Sequence, residues 1–298
     1  MQVEDYLKAG RIAGEVREIA RSTDWVGRTA YDLCEYVESE IKKRGADCAF
    51  PVNVSINEIA AHYTAEPDDD LEIKDDDLVK IDLGAHVNGY IADTAVSVCY
   101  DPEYDPLVGA AEKALAKALS MMKTGVKARD IGRTIESSIR DMGFKPIANL
   151  SGHSLDQYTI HAGKTIPNIW SIGGFSLSDQ SAYACEPFVT TRDGGGFVRN
   201  GSTKNIFALV SRKRTKSEEA DRMLDRIWER FNTLPFALRW LTSEWEEAEA
   251  RELLELLVKK KAVQAYPVLV EAEGQRVAQA EHTFIPTDEG VTLVTAAP

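Results

Sequence analysis

Two runs rich in β-branched and apolar residues, Leu78 to Gly84 and Tyr90 to Val98, flank the dipeptide Asn88-Gly89. Asn-Gly is the strongest short-range hairpin signal, because both central positions of a type I′ turn need positive φ. With Asn88 and Gly89 as the loop, Val87 faces Tyr90, Gly84 faces Asp93 and Asp82 faces Ala95. Asp82 and Asp93 then form a diagonal pair on one face of the ribbon. Their Cβ atoms lie roughly 7 Å apart or somewhat less, and no side chain grows from Gly84 between them. Ile81, Leu83, Ile91 and Ala92 predict that the ribbon is buried, where two converging carboxylates repel each other unless something positive sits between. Spacing alone fits two solvent-facing aspartates on an edge ribbon equally well. A bound cation becomes the better reading only if further ligands occur elsewhere in the chain.

The 298 residues carry a soft prior of two domains, and the 44% hydrophobic content is enough to build a sizeable core. A net charge of −13 argues against nonspecific binding to nucleic acid or to anionic membrane, both of which need basic footprints. Cys34, Cys48, Cys99 and Cys185 are widely spaced with no C-x-x-C, which fits reduced thiols in the cytoplasm better than a disulfide framework. The start Met1-Gln2-Val3-Glu4-Asp5 reads as no signal peptide, and no apolar run reaches the ~18 residues of a membrane span. A soluble cytoplasmic protein is expected.

Helical spacing predicts one helix over Glu4 to Arg21, with Ile12, Val16 and Ile19, and another from about Thr29 to Gly45, with Leu33, Val37 and Ile41. After Pro106 the pattern recurs. Leu107, Ala111, Leu115 and Leu119 mark a third helix, and Ile131, Ile135, Ile139 and Met142 a fourth that ends at Gly143. Asn53-x-Ser55 answers Asn149-x-Ser151, and His62 answers His161. An internal duplication of about 100 residues follows, giving one domain with two related halves. From Gly194 to Gln275 the character changes: Thr215-x-x-Glu218 and Ser243-x-x-Glu246 read as capping boxes opening two further helices. Val277 to Ile285 and Val291 to Thr295 read as closing strands. The expected domains are therefore 1–193 with 276–298, interrupted by a helical insertion at 194–275.

His153 follows Gly152, whose backbone can come close to a ligand. Glu186 and Glu281 each lie in what reads as an apolar strand, and each alone could be a surface carboxylate. Taken together, Asp82, Asp93, Glu186 and Glu281 bring four negative charges, which two divalent ions would balance, and His153 adds a neutral nitrogen ligand. Mixed oxygen and nitrogen donors suit manganese, iron, cobalt or zinc without choosing among them. Paired ions of this sort are used by aminopeptidases, among other hydrolases.

At this point the chain resembles the type 2 methionine aminopeptidases over nearly its whole length. The resemblance rests on Ala49-Phe50-Pro51-Val52-Asn53-Val54-Ser55-Ile56-Asn57-Glu58, Lys80-Ile81-Asp82-Leu83-Gly84, Ile91-Ala92-Asp93-Thr94-Ala95, Asn149-Leu150-Ser151-Gly152-His153, Glu186-Pro187-Phe188, Thr233-Leu234-Pro235-Phe236-Ala237 and Ala278-Gln279-Ala280-Glu281-His282-Thr283. It implies an α/β "pita-bread" fold, two pseudo-symmetric halves around a curved antiparallel sheet, with the insertion typical of type 2 enzymes. It implies that Asp82 holds one metal, that Asp93 and Glu281 bridge two, and that His153 and Glu186 hold the other. Glu186 is implied as general base, His62 and His161 as substrate-contacting histidines, and Phe50, Ile160, Phe188, Tyr266 and Leu269 as the pocket for a methionine side chain. The implied activity is removal of the initiator methionine from nascent proteins whose second residue is small, by a monomer with the ribosome as a candidate partner. Ala280 and the Gly194-Gly195-Gly196 segment depart from the family pattern. The competing readings are an X-Pro peptidase of the same fold and a non-catalytic pita-bread binding protein.

Overall fold

The computed structural model describes residues 2–296; Met1, Ala297 and Pro298, at the ends of the expected catalytic domain, lie outside the described residues. Its centre is the Asn88-Gly89 hairpin. Strands Leu78–Val87 and Tyr90–Cys99 pair with Val87 opposite Tyr90, Gly84 opposite Asp93 and Asp82 opposite Ala95. Asn88 and Gly89 have φ of 52° and 83°, as the turn type demands. The hairpin belongs to a nine-stranded antiparallel sheet: Asp47–Cys48 and Asn53–Ile56 pair with its first strand, and from its second the sheet continues through Glu281–Pro286, flanked by Val291–Leu293, to Ala182–Cys185, Ser151–Leu155 and Thr165–Pro167.

The helices come as two pairs. In the first, α1 (Val3–Ser22) and α2 (Ala30–Lys43) bury Ile12, Val16, Leu33, Val37 and Ile41 against Ile81, Leu83 and Ile91 of the hairpin. Thr29 caps α2, its hydroxyl accepting from the Asp32 amide while the Asp32 carboxylate accepts from the Thr29 amide. In the second, α3 (Asp105–Met121) and α4 (Ala128–Asp141) bury Leu107, Leu115, Ile131, Ile135 and Ile139 with Tyr183 and Phe284. The chain leaves α4 through Gly143 at a φ of 85°. The expected stripes are the buried ones except at Ile19, Leu119 and Met142, which are half-buried, Met142 standing just past the end of α4.

Within 194–275 a third apolar cluster runs from Leu209 to Val263, built on α5 (Glu218–Phe231) and α6 (Glu247–Lys259). The flanking strands Val198–Asn200 and Leu269–Glu271 join Ile59–Ala61 in a small sheet. Both expected capping boxes are corrected. Ser217 caps α5 through the Ala220 amide, and the Thr215 hydroxyl instead accepts from the Ser217 amide. α6 begins after Glu246 with no side-chain cap, because the chain first makes a further turn that buries Trp245 in this third apolar cluster. A motif four residues long cannot register where a distant core places a tryptophan.

The closing strand is corrected as well. Val277 to Ile285 is two strands, Val277–Gln279 and Glu281–Pro286, in different sheets. Ala182–Cys185 and Phe188–Thr190 divide in the same way, at Glu186-Pro187. The two breaks lie side by side, with the Ala280 amide donating to the Pro187 carbonyl at 3.3 Å. Pro187 has no N–H for a ladder, so the main sheet releases its strand there. Ala280 itself is buried in the second helix pair's core.

α1 crosses the C-terminal segment very closely. A Cβ on Gly10 would lie 2.0 Å from the Val294 carbonyl oxygen, and one on Gly14 2.8 Å from that of Thr295. Gly10→Ala must push the helix off that backbone and is expected to lower stability by about 1–3 kcal/mol. Thermal unfolding beside the parent protein checks this; an unchanged midpoint would mean that the crossing is looser than the geometry requires.

Candidate metal centre

Asp82 and Asp93 point from facing strands into one cavity of about 330 Å³. Gly84 keeps the space between them free of its own side chain, and the Phe50 ring takes it: a Cβ on Gly84 would stand 2.3 Å from Phe50 Cε1. Glu186 and Glu281 arrive from the two strand breaks, so Glu186 lies in a break rather than inside a strand as expected. Glu186 turns toward the hairpin from outside the ladder, whereas Glu281 opens its strand just after the break and pairs with Ala95. His153 comes from strand Ser151–Leu155, its Nε2 3.7 Å from Asp93 and 3.5 Å from Glu186. Ligand atoms of Asp93, His153 and Glu281 all fall within 4.8 Å of one another.

The cluster is under electrostatic load. Burial raises the carboxyl groups of Asp82, Asp93, Glu186 and Glu281 above their ordinary range, Asp82 to about 7. The neighbouring carboxylates push the last three further in the same direction. Burial, with His161 adding to it, lowers His153 to about 3, so its imidazole is neutral and able to ligate. Buried Asp82 Oδ1, Asp93 Oδ1 and Glu281 Oε1 have no hydrogen-bond partner. Such orphaned acceptors gathered in one place are what divalent cations would satisfy, and oxygen with imidazole is a donor set that suits them.

Residues that the sequence reading gave no role hold the cluster together. The Gln279 side-chain amide stands 3.4 Å from Asp82, 3.5 Å from Glu186 and 3.4 Å from Glu281, a neutral donor among three acids. Its position two residues before Glu281 was the only available signal. The Thr283 hydroxyl donates to the Asp93 carbonyl and accepts from the Asp93 amide, both at 2.8 Å. Thr94 donates to the Glu281 carbonyl at 2.8 Å, and buried Arg17 of α1 donates to Thr94 at 2.8 Å. The strands carrying Asp93 and Glu281 are thus cross-stapled behind the carboxylates.

His62 and His161 flank the cavity from the two halves. The His161 ring stands edge-on to His153 with centroids 4.4 Å apart. His62 adopts a φ of 67°, rare for a residue with a side chain, and its amide donates to Asn53 Oδ1 at 2.9 Å. Burial, and then the charge of His161, lower its imidazole to about 4. Asn53 and Asn149 correspond in the duplication but differ in use, since Asn149 pairs with the Val198 backbone. Phe50, Ile160, Phe188 and Tyr266 line the cavity. Leu269 is not among the lining residues. It pairs with Ala61 and packs in the cluster of Phe188 and Val198, one layer out.

A pita-bread sheet with an acidic, imidazole-bearing cluster on its open face defines a metal-dependent peptidase. The sequence model of metallopeptidase family M24 matches residues 4–204. The methionine aminopeptidase of Methanocaldococcus jannaschii is 40% identical over 99% of this chain and 100% of its own length. That of Pyrococcus horikoshii is 41% identical over 99% and 100%. The crystal structure of the Thermotoga maritima methionine aminopeptidase shares the fold, with a TM-score of 0.70, 23% identity and coverage of 99% of this chain and 96% of that one. The chain belongs to metallopeptidase family M24 and, within it, to the type 2-like methionine aminopeptidases. Among the described residues no helix is long and apolar enough to cross a membrane.

Proposed function

We propose that the protein removes N-terminal methionine from peptides and nascent chains in the cytoplasm when the second residue is small, using two divalent ions. The observation that carries this is the convergence of four carboxylates, Asp93 and Glu281 buried and Asp82 and Glu186 half-buried, and a neutral imidazole, with orphaned oxygens, in a cavity with apolar walls. In the proposed set Asp82 would help to hold one ion, His153 and Glu186 the other, and Asp93 and Glu281 would be shared between them. When bound, the ions would supply an activated water and Lewis-acid polarisation of the scissile carbonyl.

The chain's own groups do the rest. Phe50, Ile160, Phe188 and Tyr266 would take the methionine side chain out of water. Glu186, whose basicity burial raises, would accept the nucleophile's proton and return it to the departing amine. His62 and His161 would hydrogen-bond the peptide from either side; a neutral imidazole donates through one nitrogen and accepts through the other. His62 Nδ1 lies 3.3 Å from the Pro267 carbonyl, so the neutral tautomer that donates there leaves Nε2 to the cavity as an acceptor, for a peptide or α-amino N–H.

Protein loaded with manganese or cobalt is expected to cleave Met-Gly-Met-Met and to leave a Met-Leu peptide nearly untouched. Folded, metal-loaded protein that releases methionine from neither would defeat the proposal.

A further inference from the structure

The stretch Thr233–Trp240 joins the insertion's two helices, yet several of its side chains leave the insertion. Phe236 and Leu238 belong to the insertion's own core, whereas Leu234 is buried in the core of the first helix pair. Between them, Pro235 lines the cavity.

At its start, the Thr233 hydroxyl donates to the Tyr158 carbonyl. Tyr158 sits in the turn that leads directly into Ile160 and His161, at a φ of 53°. That turn is gripped from the other side by the tip of the hairpin. The Tyr158 amide donates to the Gly89 carbonyl and the Gln157 side chain donates to the Asn88 carbonyl, each at 2.8 Å. The Tyr158 ring meets His86 edge-on at 5.8 Å.

At its end, Arg239 reaches the other histidine-bearing segment. Its guanidinium donates to the Thr64 hydroxyl at 2.8 Å and to the Ala65 carbonyl at 3.1 Å, just beyond His62. The same guanidinium pairs with buried Glu38 of α2. Glu38 also accepts from the Trp240 indole at 2.6 Å and from the Val52 amide at 3.1 Å. A buried ion pair adds little net stability over well-packed apolar residues of the same volume, so stability alone does not account for Glu38 and Arg239. What such a pair does supply is a fixed position.

We propose that Thr233–Trp240 is a strap that sets the separation of the two histidine-bearing walls, and that Thr233 and Arg239 are positioning residues for the methionine pocket. The insertion thereby determines the pocket's width from outside it. This rests on the proposed aminopeptidase activity.

Two variants test it: Thr233→Val, at an exposed turn, and the paired apolar replacement Glu38→Met with Arg239→Met. Each is expected to raise KM for Met-Gly-Met-Met about 5-fold or more with kcat within 2-fold. The preference for Met-Gly over Leu-Gly peptides should fall by a similar factor, with metal stoichiometry unchanged. In imidazole NMR spectra, Thr233→Val should move the His161 signals and the double variant those of His62. Wild-type KM, preference and imidazole spectra in both variants would overturn the strap, whatever happens to the melting temperature. If the parent protein cleaves no methionyl peptide, the activity reading is what has failed, and the imidazole spectra alone decide the strap.

Discussion

Glu281→Gln is expected to make the metal-free protein more stable while destroying the site. Glu281 is 1% exposed, one of its oxygens has no partner, and burial together with Asp93, Glu186 and Asp82 raises its carboxyl well above the ordinary range. Without cations the fold must therefore hold an acid that neither water nor a positive charge relieves. The isosteric amide removes that load, worth about 1–3 kcal/mol at pH 8 in the presence of a chelator. With metals the sign reverses. Losing a proposed bridging ligand should weaken metal binding by more than about 100-fold, beyond what loss of a supporting partner costs. The lost Lewis-acid contribution, several kcal/mol at 1.36 per decade, should cut kcat/KM by at least about 1,000-fold. Calorimetric metal titration, peptide assay and thermal melts in chelator measure the three effects. A metal-free variant less stable than the metal-free parent, or one that retains parental metal affinity, would contradict the cluster as described.

The stabilisation conferred by divalent ions is expected to grow steeply between pH 5 and pH 8. Asp82 is raised to about 7, and Asp93, Glu186 and Glu281 are raised well above their ordinary values, so each binds a proton more tightly in the fold than in the unfolded chain. The stability this provides to the metal-free fold is complete below about pH 4 and is lost as pH rises through the folded values. Divalent ions replace those protons, so the loaded fold escapes the loss and binds its metals more tightly at higher pH. His62, lowered to about 4, and His282, lowered to about 3, act with the opposite sign. Their contribution is full above about pH 6.5 and is lost as pH falls, in both forms alike, so it cancels in the difference. The gap in melting temperature between loaded and metal-free protein should therefore widen by about 10 °C, from several kcal/mol at 2–4 °C each. A gap independent of pH would mean that the carboxylates are not held apart from solvent.

Much of the fold was legible because its signals are local. The Asn88-Gly89 turn decides the register of ten residue pairs, and a one-residue slip would have moved Asp82 and Asp93 to opposite roles. The helices showed in their apolar stripes. The breaks beside Glu186 and Glu281 did not show, since an apolar run reads the same whether it stays in one sheet or passes between two. The parts played by Gln279 and Thr283 did not show for a related reason: each acts on partners that only strand pairing brings near.

The chain's residues by themselves determined how many acids and imidazoles are available, the charge that must be balanced, and the hairpin on which two of those acids are mounted. Only the tertiary structure decided that Glu186 and Glu281 turn inward at two adjacent sheet breaks, and that Leu269 stands behind the cavity wall. It also decided that Thr233 and Arg239 reach partners 75 and 175 residues away. Turn chemistry and periodicity act over a few residues, whereas the direction of a side chain in a cavity is set by packing between elements remote in sequence.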